Sequence, residues 1–177
     1  MKIVTISGKA QHGKDTTAQF LTNYLTAAGQ RVLVVHYADY LKFICKQYFN
    51  WDGKKDDSGR TLLQRVGTDI IRASEPDFWV DSVARFLSHF ENEWDFVLIP
   101  DCRFPNEIEY WKKHNINSTH IRVRRYNFES PLTMEQQNHI SETALDNYPS
   151  DLVIANTQDL EYLESLCEIA ASVLMKQ

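Results

Sequence analysis

Gly8-Lys9-Ala10-Gln11-His12-Gly13-Lys14-Asp15-Thr16 follows the apolar run Ile3–Ile6 and precedes a helical pattern. Glycines at this spacing let backbone N–H groups turn inward around a polyphosphate, and the next helix directs its positive end at the same spot. Lys14 adds a mobile charge for the outer phosphates, so GxxxxGK is complete. Gly8, Gly13, Lys14, Asp15 and Thr16 are therefore the candidate triphosphate cradle. Asp15 stands where such loops usually carry the Ser or Thr that holds Mg²⁺, and a carboxylate is a harder oxygen donor for the same ion. The competing reading is a glycine-bearing turn with no ligand. His12 is expected to face solvent without a catalytic role.

A second apolar run, Phe96–Ile99, leads through Pro100 to Asp101. A carboxylate at the C-terminal end of a buried strand is where open α/β sheets hold their ligands, and with Asp15 it would position Mg²⁺ against the outer phosphates. Arg103 places a fork of donors beside the same strand end, suited to an acceptor phosphate or, alternatively, to a structural ion pair. Arg122, Arg124 and Arg125 close a further strand and open a segment with little regular signal before Met134. That segment reads as a lid whose arginines spread the charge of a transferring group. A solvated edge strand is the alternative, with Arg122 and Arg124 on one face and Arg125 on the other.

The elements that must position these residues alternate in kind. Ile3–Ser7, Val32–His36, Phe96–Ile99, Thr119–Val123 and Leu152–Ala155 read as five short strands, four of them apolar enough to be buried on both faces, as in a parallel sheet. Ala18, Leu21, Leu25 and Ala28 form one helical stripe that Gly29 ends, and Leu160, Leu163, Leu166, Cys167, Ala170 and Leu174 form another. Residues 38–93 are too long for one crossover and carry three helical stretches, near 39–49, 61–73 and 77–90. Asp52–Gly59 between the first two is expected to be a mobile loop with solvated lysines. The expected organisation is a single domain: core 1–37, 94–123 and 148–177, a helical insertion 38–93 and a lid 124–147. The fold class is α/β, a three-layer arrangement with a five-stranded, mainly parallel sheet between helices.

At 177 residues with 43% hydrophobic and 24% charged content, the chain has the size and composition of one globular enzyme. A net charge of −5 disfavours a polynucleotide partner, which demands a surplus of Lys and Arg. The three cysteines have neither CxxC spacing nor His partners, which disfavours disulfides and structural zinc and suits a cytoplasmic location. No apolar run approaches membrane-spanning length and no leader precedes the first strand, so a membrane partner is not expected. GxSxG and HExxH are both missing, which lowers the case for hydrolase or metalloprotease chemistry.

Gly13-Lys14-Asp15-Thr16 resembles the loop of phage-type deoxynucleoside monophosphate kinases and of animal-type phosphomevalonate kinases. Further segments are similar to the first family: Tyr37–Lys42, Gly59–Thr68, Arg72, Pro76–Trp79, the DxRFPNE-like Asp101–Glu107 and the HxSE-like His139–Glu142. The resemblance implies a phosphate-loop kinase fold, ATP with Mg²⁺ as donor and a deoxynucleoside 5′-monophosphate as acceptor. It implies an acceptor pocket from Asp39, Lys42, Gln64, Arg72, Trp79 and Arg103, lid residues His139 and Glu142, and Asn156 beside the adenine. Structural alternatives stand beside several of these: Trp79 as a core aromatic, Gln64 and Asp39 as surface or cap residues, His139 and Glu142 as a pair across one helical turn. Another phosphorylated acceptor, or an ATP-binding switch without transfer, remains the rival function, and a homodimer stays open.

Overall fold

A computed structural model describes residues 1–176. Five strands form one parallel sheet in the order β2-β3-β1-β4-β5: β1 Lys2–Ser7, β2 Val32–Val34, β3 Phe96–Cys102, β4 Ser118–Arg125 and β5 Leu152–Asn156. The central strand β1 pairs with β3 on one side and β4 on the other. Every strand therefore points its C-terminal end to the same edge, where Ser7, Asp101, Arg125 and Asn156 gather.

Period-two alternation along β1 splits the apolar side chains between two layers. Ile3, Val97 and Ile99 pack with α2 (Ala38–Tyr48), α4 (Phe78–Ser88) and α5 (Pro105–Lys113). Val4, Ile6, Leu98 and Ile121 pack with α1 (Lys14–Ala27) and α8 (Leu160–Lys176). Leu21 and Leu25 of α1 are fully buried there, each worth about 2 kcal/mol in removed apolar surface. Ala28, expected in the same stripe, is exposed because the helix ends one residue earlier.

Differences from the expected elements have local causes. β2 stops at Val34 as a short edge strand, whereas β3 runs on through Pro100 to Cys102. Pro100 has no N–H for a ladder, and the β1–β3 register shifts between Thr5 and Ser7, beside it. In the insertion, α3 (Asp57–Gln64) continues without a break as a wide π-helix, Arg65–Arg72, one residue longer per hydrogen-bonded ring than an α-helix.

The expected mobile loop at Asp52–Gly59 is corrected in its second half. Asp56 caps α3 by accepting the Gly59 N–H at 2.8 Å, and Trp51 Nε1 donates to the Lys54 carbonyl at 2.9 Å. A Cβ at Gly59 would lie 2.1 Å from that same carbonyl, so the loop is closed tightly on the helix start. Two short helices, α6 Met134–Asn138 and α7 Ile140–Thr143, then follow the irregular stretch after β4. No helix among the described residues is long and apolar enough to cross a membrane.

Candidate active site

The loop between β1 and α1 wraps around its own lysine. Gly13 takes a left-handed conformation, φ 100°, which an L side chain adopts only under strain. Gly8 has φ 152°, and a Cβ there would stand 2.5 Å from the Val123 carbonyl of β4. The loop is thus pressed against the sheet edge. Lys14 is 8% exposed, and its Nζ donates to the Lys9 carbonyl at 2.9 Å. Burial, and then the nearby Arg103 charge, lower its pKa to about 7. An ammonium held this far from water is ready for an anion that would restore its ordinary value.

Two cavities meet on this loop. The larger, about 510 Å³, is lined by Lys14, Asp15, Lys42, Gln64, Arg72, Trp79, Asp101, Arg103 and Glu142. The smaller, about 380 Å³, is lined by Gly13, Lys14, Asp15, Thr16, Arg125, Asn156 and Leu160. Gln11, Lys14 and Asp15 belong to both. Asn156 Nδ2 donates to the His12 carbonyl at 3.2 Å, which fixes the strand end of β5 to the loop. Asp39 and His139, expected at the acceptor pocket and lid, lie outside the lining of the larger cavity. Asp39 pairs with Lys42 at 2.8 Å, at the mouth.

The two carboxylates proposed for Mg²⁺ differ in freedom. Asp15 has a side chain 80% exposed, with His36 Nε2 at 3.6 Å from its Oδ1. That contact holds the Asp15 carboxyl below its usual range and lifts the His36 imidazole above its own. Asp101 instead accepts backbone N–H groups, Tyr37 at 3.0 Å and Ala38 at 2.9 Å, and so ties β3 to the start of α2. Among the described residues no group of three or more His, Cys, Asp or Glu could enclose a metal. One open carboxylate with a second behind it suits a hard cation that keeps its waters and brings phosphate oxygens. His36 was not picked out from the sequence, although it closes an expected strand at the ligand-bearing edge.

Arg72 and Arg103 both reach the larger cavity, and both already have anionic partners. Arg72 forms a close ion pair with Glu107 and lies 3.9 Å over the Phe104 ring. Glu107 is 2% exposed and also accepts the Arg103 and Phe104 amides at 2.6 and 3.1 Å, which fixes the start of α5. Arg103 Nη1 lies 2.6 Å from Glu142. Trp79 follows its structural alternative in part: it is 4% exposed and donates from Nε1 to the Gly67 carbonyl at 2.9 Å, yet it also lines the cavity. Gly67 packs close to α2, with Leu41 Cδ2 only 2.6 Å from where a Cβ would be.

The lid arginines separate. Arg122 is 6% exposed within β4, inside the expected strand, and β4 runs on to take in Arg124 and Arg125, which were expected to open the lid. Its Nη1 donates to the Asp146 carbonyl at 3.0 Å and its Nη2 has no partner. Arg124 faces a smaller cavity behind the loop. Arg125 stacks 4.4 Å from the Phe128 ring and donates to the Gln11 carbonyl at 3.3 Å, on the side of the Asn156 cavity. His12 departs from the expected solvent position: its Nδ1 accepts the Arg125 N–H at 3.2 Å and its ring meets Phe128 edge-on. The side chains of His139 and Glu142 do not pair with each other, although the Glu142 N–H donates to the His139 carbonyl at 2.9 Å. His139 lies 3.5 Å from Asp69 of the π-helix, and Glu142 turns to Arg103 and the loop.

A parallel 2-3-1-4-5 sheet with a phosphate loop after its central strand defines the phosphate-loop kinase architecture. Solved structures agree on the fold: the APS kinase of Mycobacterium tuberculosis bound to AMPPNP and APS is 12% identical at a TM-score of 0.54, covering 98% of this chain and 97% of that one. Shikimate kinase from Aquifex aeolicus is 16% identical at 0.52, covering 99% and 98%. The chain belongs to the deoxynucleotide monophosphate kinase family, whose sequence pattern matches residues 26–167. The deoxynucleotide monophosphate kinase of Enterobacteria phage T4 is 32% identical over 119 residues, 66% of this chain and 46% of that protein, so the match spans about half of the curated relative.

Proposed function

We propose that the chain transfers the terminal phosphate of ATP to a deoxynucleoside 5′-monophosphate, giving the diphosphate and ADP. The observation that carries this reading is the pair of cavities joined at Lys14 and Asp15, one for each substrate. ATP would place its base between Asn156, Leu160 and Arg125 and its phosphates along the loop amides, with Thr16 on the inner phosphate and Lys14 on the outer two. The acceptor would fill the larger cavity of the helical insertion 38–93, its phosphate beside Arg103 and Arg72 and its base between Gln64 and Trp79. Asp39 and Lys42 would guard the mouth. Residues 124–147 would act as the lid over the core segments 1–37, 94–123 and 148–177.

Such a transfer asks little covalent chemistry of the protein. An acceptor phosphate oxygen is already anionic at neutral pH, so it attacks the terminal phosphorus directly as the bridging oxygen departs on ADP. Alignment and charge neutralisation then dominate, and Lys14 and Arg103 supply positive charge from two sides. Mg²⁺, when bound with ATP against Asp15, would neutralise the outer phosphates. The buried, free cysteines suit a reducing cytoplasm. The test is ADP release with a panel of the four common deoxynucleoside monophosphates, their ribose counterparts and hydroxymethylated pyrimidines. Release above the ATP-only rate with at least one deoxynucleotide is expected; a rate that no monophosphate raises rejects the reading.

A further inference from the structure

One anion already sits where the transferred phosphate is wanted, and the chain supplies it. Glu142 Oε1 is 2.6 Å from Arg103 Nη1, while Oε2 accepts the Ala10 N–H of the phosphate loop at 3.1 Å. Its side chain is 8% exposed. Ala10 and Glu142 line the acceptor-side cavity together with Lys14, and neither lines the cavity holding Asn156. A triphosphate that enters from the Asn156 side and crosses Lys14 therefore brings its last phosphate to Ala10 and Arg103. Two more contacts hold the same segment against the site: Asp146 with Lys9 at 3.0 Å, and His139 with Asp69 at 3.5 Å.

Resting on the kinase reading above, we propose that Glu142 is a positioning residue whose carboxylate occupies the terminal-phosphate position of the ligand-free cleft, and that the γ-phosphate of ATP displaces it. Until then the carboxylate keeps the Ala10 amide and the Arg103 fork aimed at that point, with neither left unsatisfied. Displacement hands both donors to the phosphate and removes one of the contacts, Glu142 to Ala10, that hold the 139–146 segment against the loop. ADP, one phosphate shorter, leaves Glu142 in place. ATP binding thus works against a charge-assisted contact that ADP binding does not disturb.

The experiment measures dissociation constants of Mg-ATP and Mg-ADP by calorimetry for the intact protein, Glu142→Gln and Asp146→Asn. In Glu142→Gln, ATP should tighten about tenfold and ADP less than about twofold, the size expected for one charge-assisted contact. Asp146→Asn removes the same charge from the same segment and should shift both nucleotides equally. An ATP-to-ADP affinity ratio in Glu142→Gln equal to that of the unaltered protein overturns the inference alone. An unaltered protein that binds neither nucleotide overturns the kinase reading with it. Should Glu142→Gln fail to fold, amide exchange of the unaltered protein decides: residues 139–146 should exchange faster with ATP than with ADP, and equal exchange rejects displacement.

Discussion

Lys14 carries the sharpest consequence at the scale of one residue. Its folded pKa of about 7 lies below the ordinary 10.5, so between those values the unfolded chain holds a proton that the folded one lacks. Stability without ligand should therefore rise with pH from 7 to 10.5, and that contribution is lost as pH falls through 7. Comparing melting temperatures of the unaltered protein and Lys14→Met across this window checks it: the variant should lack this part of the slope and should show no turnover. ATP phosphates should return the lysine to its charged form, so ATP binding at pH 8 should take up close to one proton, read by calorimetry in buffers of different ionisation enthalpy. Arg103 lines the larger cavity, the one proposed for the acceptor. Arg103→Ala should lower kcat/KM for the acceptor about a hundredfold and weaken ATP by a smaller factor, since the proposed γ-phosphate position also meets this guanidinium; steady-state kinetics and calorimetry measure the two. The chemistry-bearing types at these positions were readable from spacing alone, because a phosphate loop is a local motif. Their partners were not: Glu107 for Arg72 is 35 residues away and Glu142 for Arg103 is 39, and no period links them.

Among the elements, the phosphate loop depends on how closely β1 meets β4. Gly8→Val should press a branched side chain into the Val123 carbonyl, 2.5 Å from the first added carbon, and should destabilise the fold by about 2 kcal/mol while weakening ATP binding. Urea unfolding and nucleotide titration measure the two effects. The start of α5 depends on Glu107, which is buried, paired with Arg72 and bonded to two amides. Burial pushes the Glu107 carboxyl up, and Arg72 works in the other direction. Glu107→Ala leaves a partly buried guanidinium and two amides without their acceptor, and should cost about 3–5 kcal/mol in chemical denaturation. Elements with a clean period, α1, α8 and the central strands, were legible because one buried face dictates the pattern. The π-helix at 65–72 was not: Gly67 lies against Leu41 there and its carbonyl accepts the Trp79 Nε1–H, contacts that no local pattern names.

Across the whole molecule, the segment 139–146 and the π-helix enter one apolar cluster through Leu145, Val66 and Ile71, and polar contacts tie them to each other and to the phosphate loop: His139 with Asp69, Glu142 with Ala10 and Arg103, and Asp146 with Lys9. A ligand that binds the folded state alone should raise stability with the logarithm of its concentration over its dissociation constant. At about a hundred times its dissociation constant, Mg-ATP should add about 2.7 kcal/mol, seen as a rise in melting temperature that grows with ATP concentration. A melting temperature indifferent to ATP at millimolar levels argues against a nucleotide site.

The class of this protein was legible in local pattern: a phosphate loop, a strand-borne Asp101 and the individual strands and helices are short-range features, each written in fewer than about twenty residues. Their order along the chain also foretold a parallel sheet, because right-handed crossovers leave few other solutions. It took the folded chain to show that Asp101 is engaged by two amides while Asp15 stays open, that Arg122 is buried, and that Glu142 reaches the phosphate loop. Those outcomes depend on which strand ends converge at one edge of the sheet. Side chains far apart in sequence meet there, and their charge and burial are set by neighbours that no local pattern names.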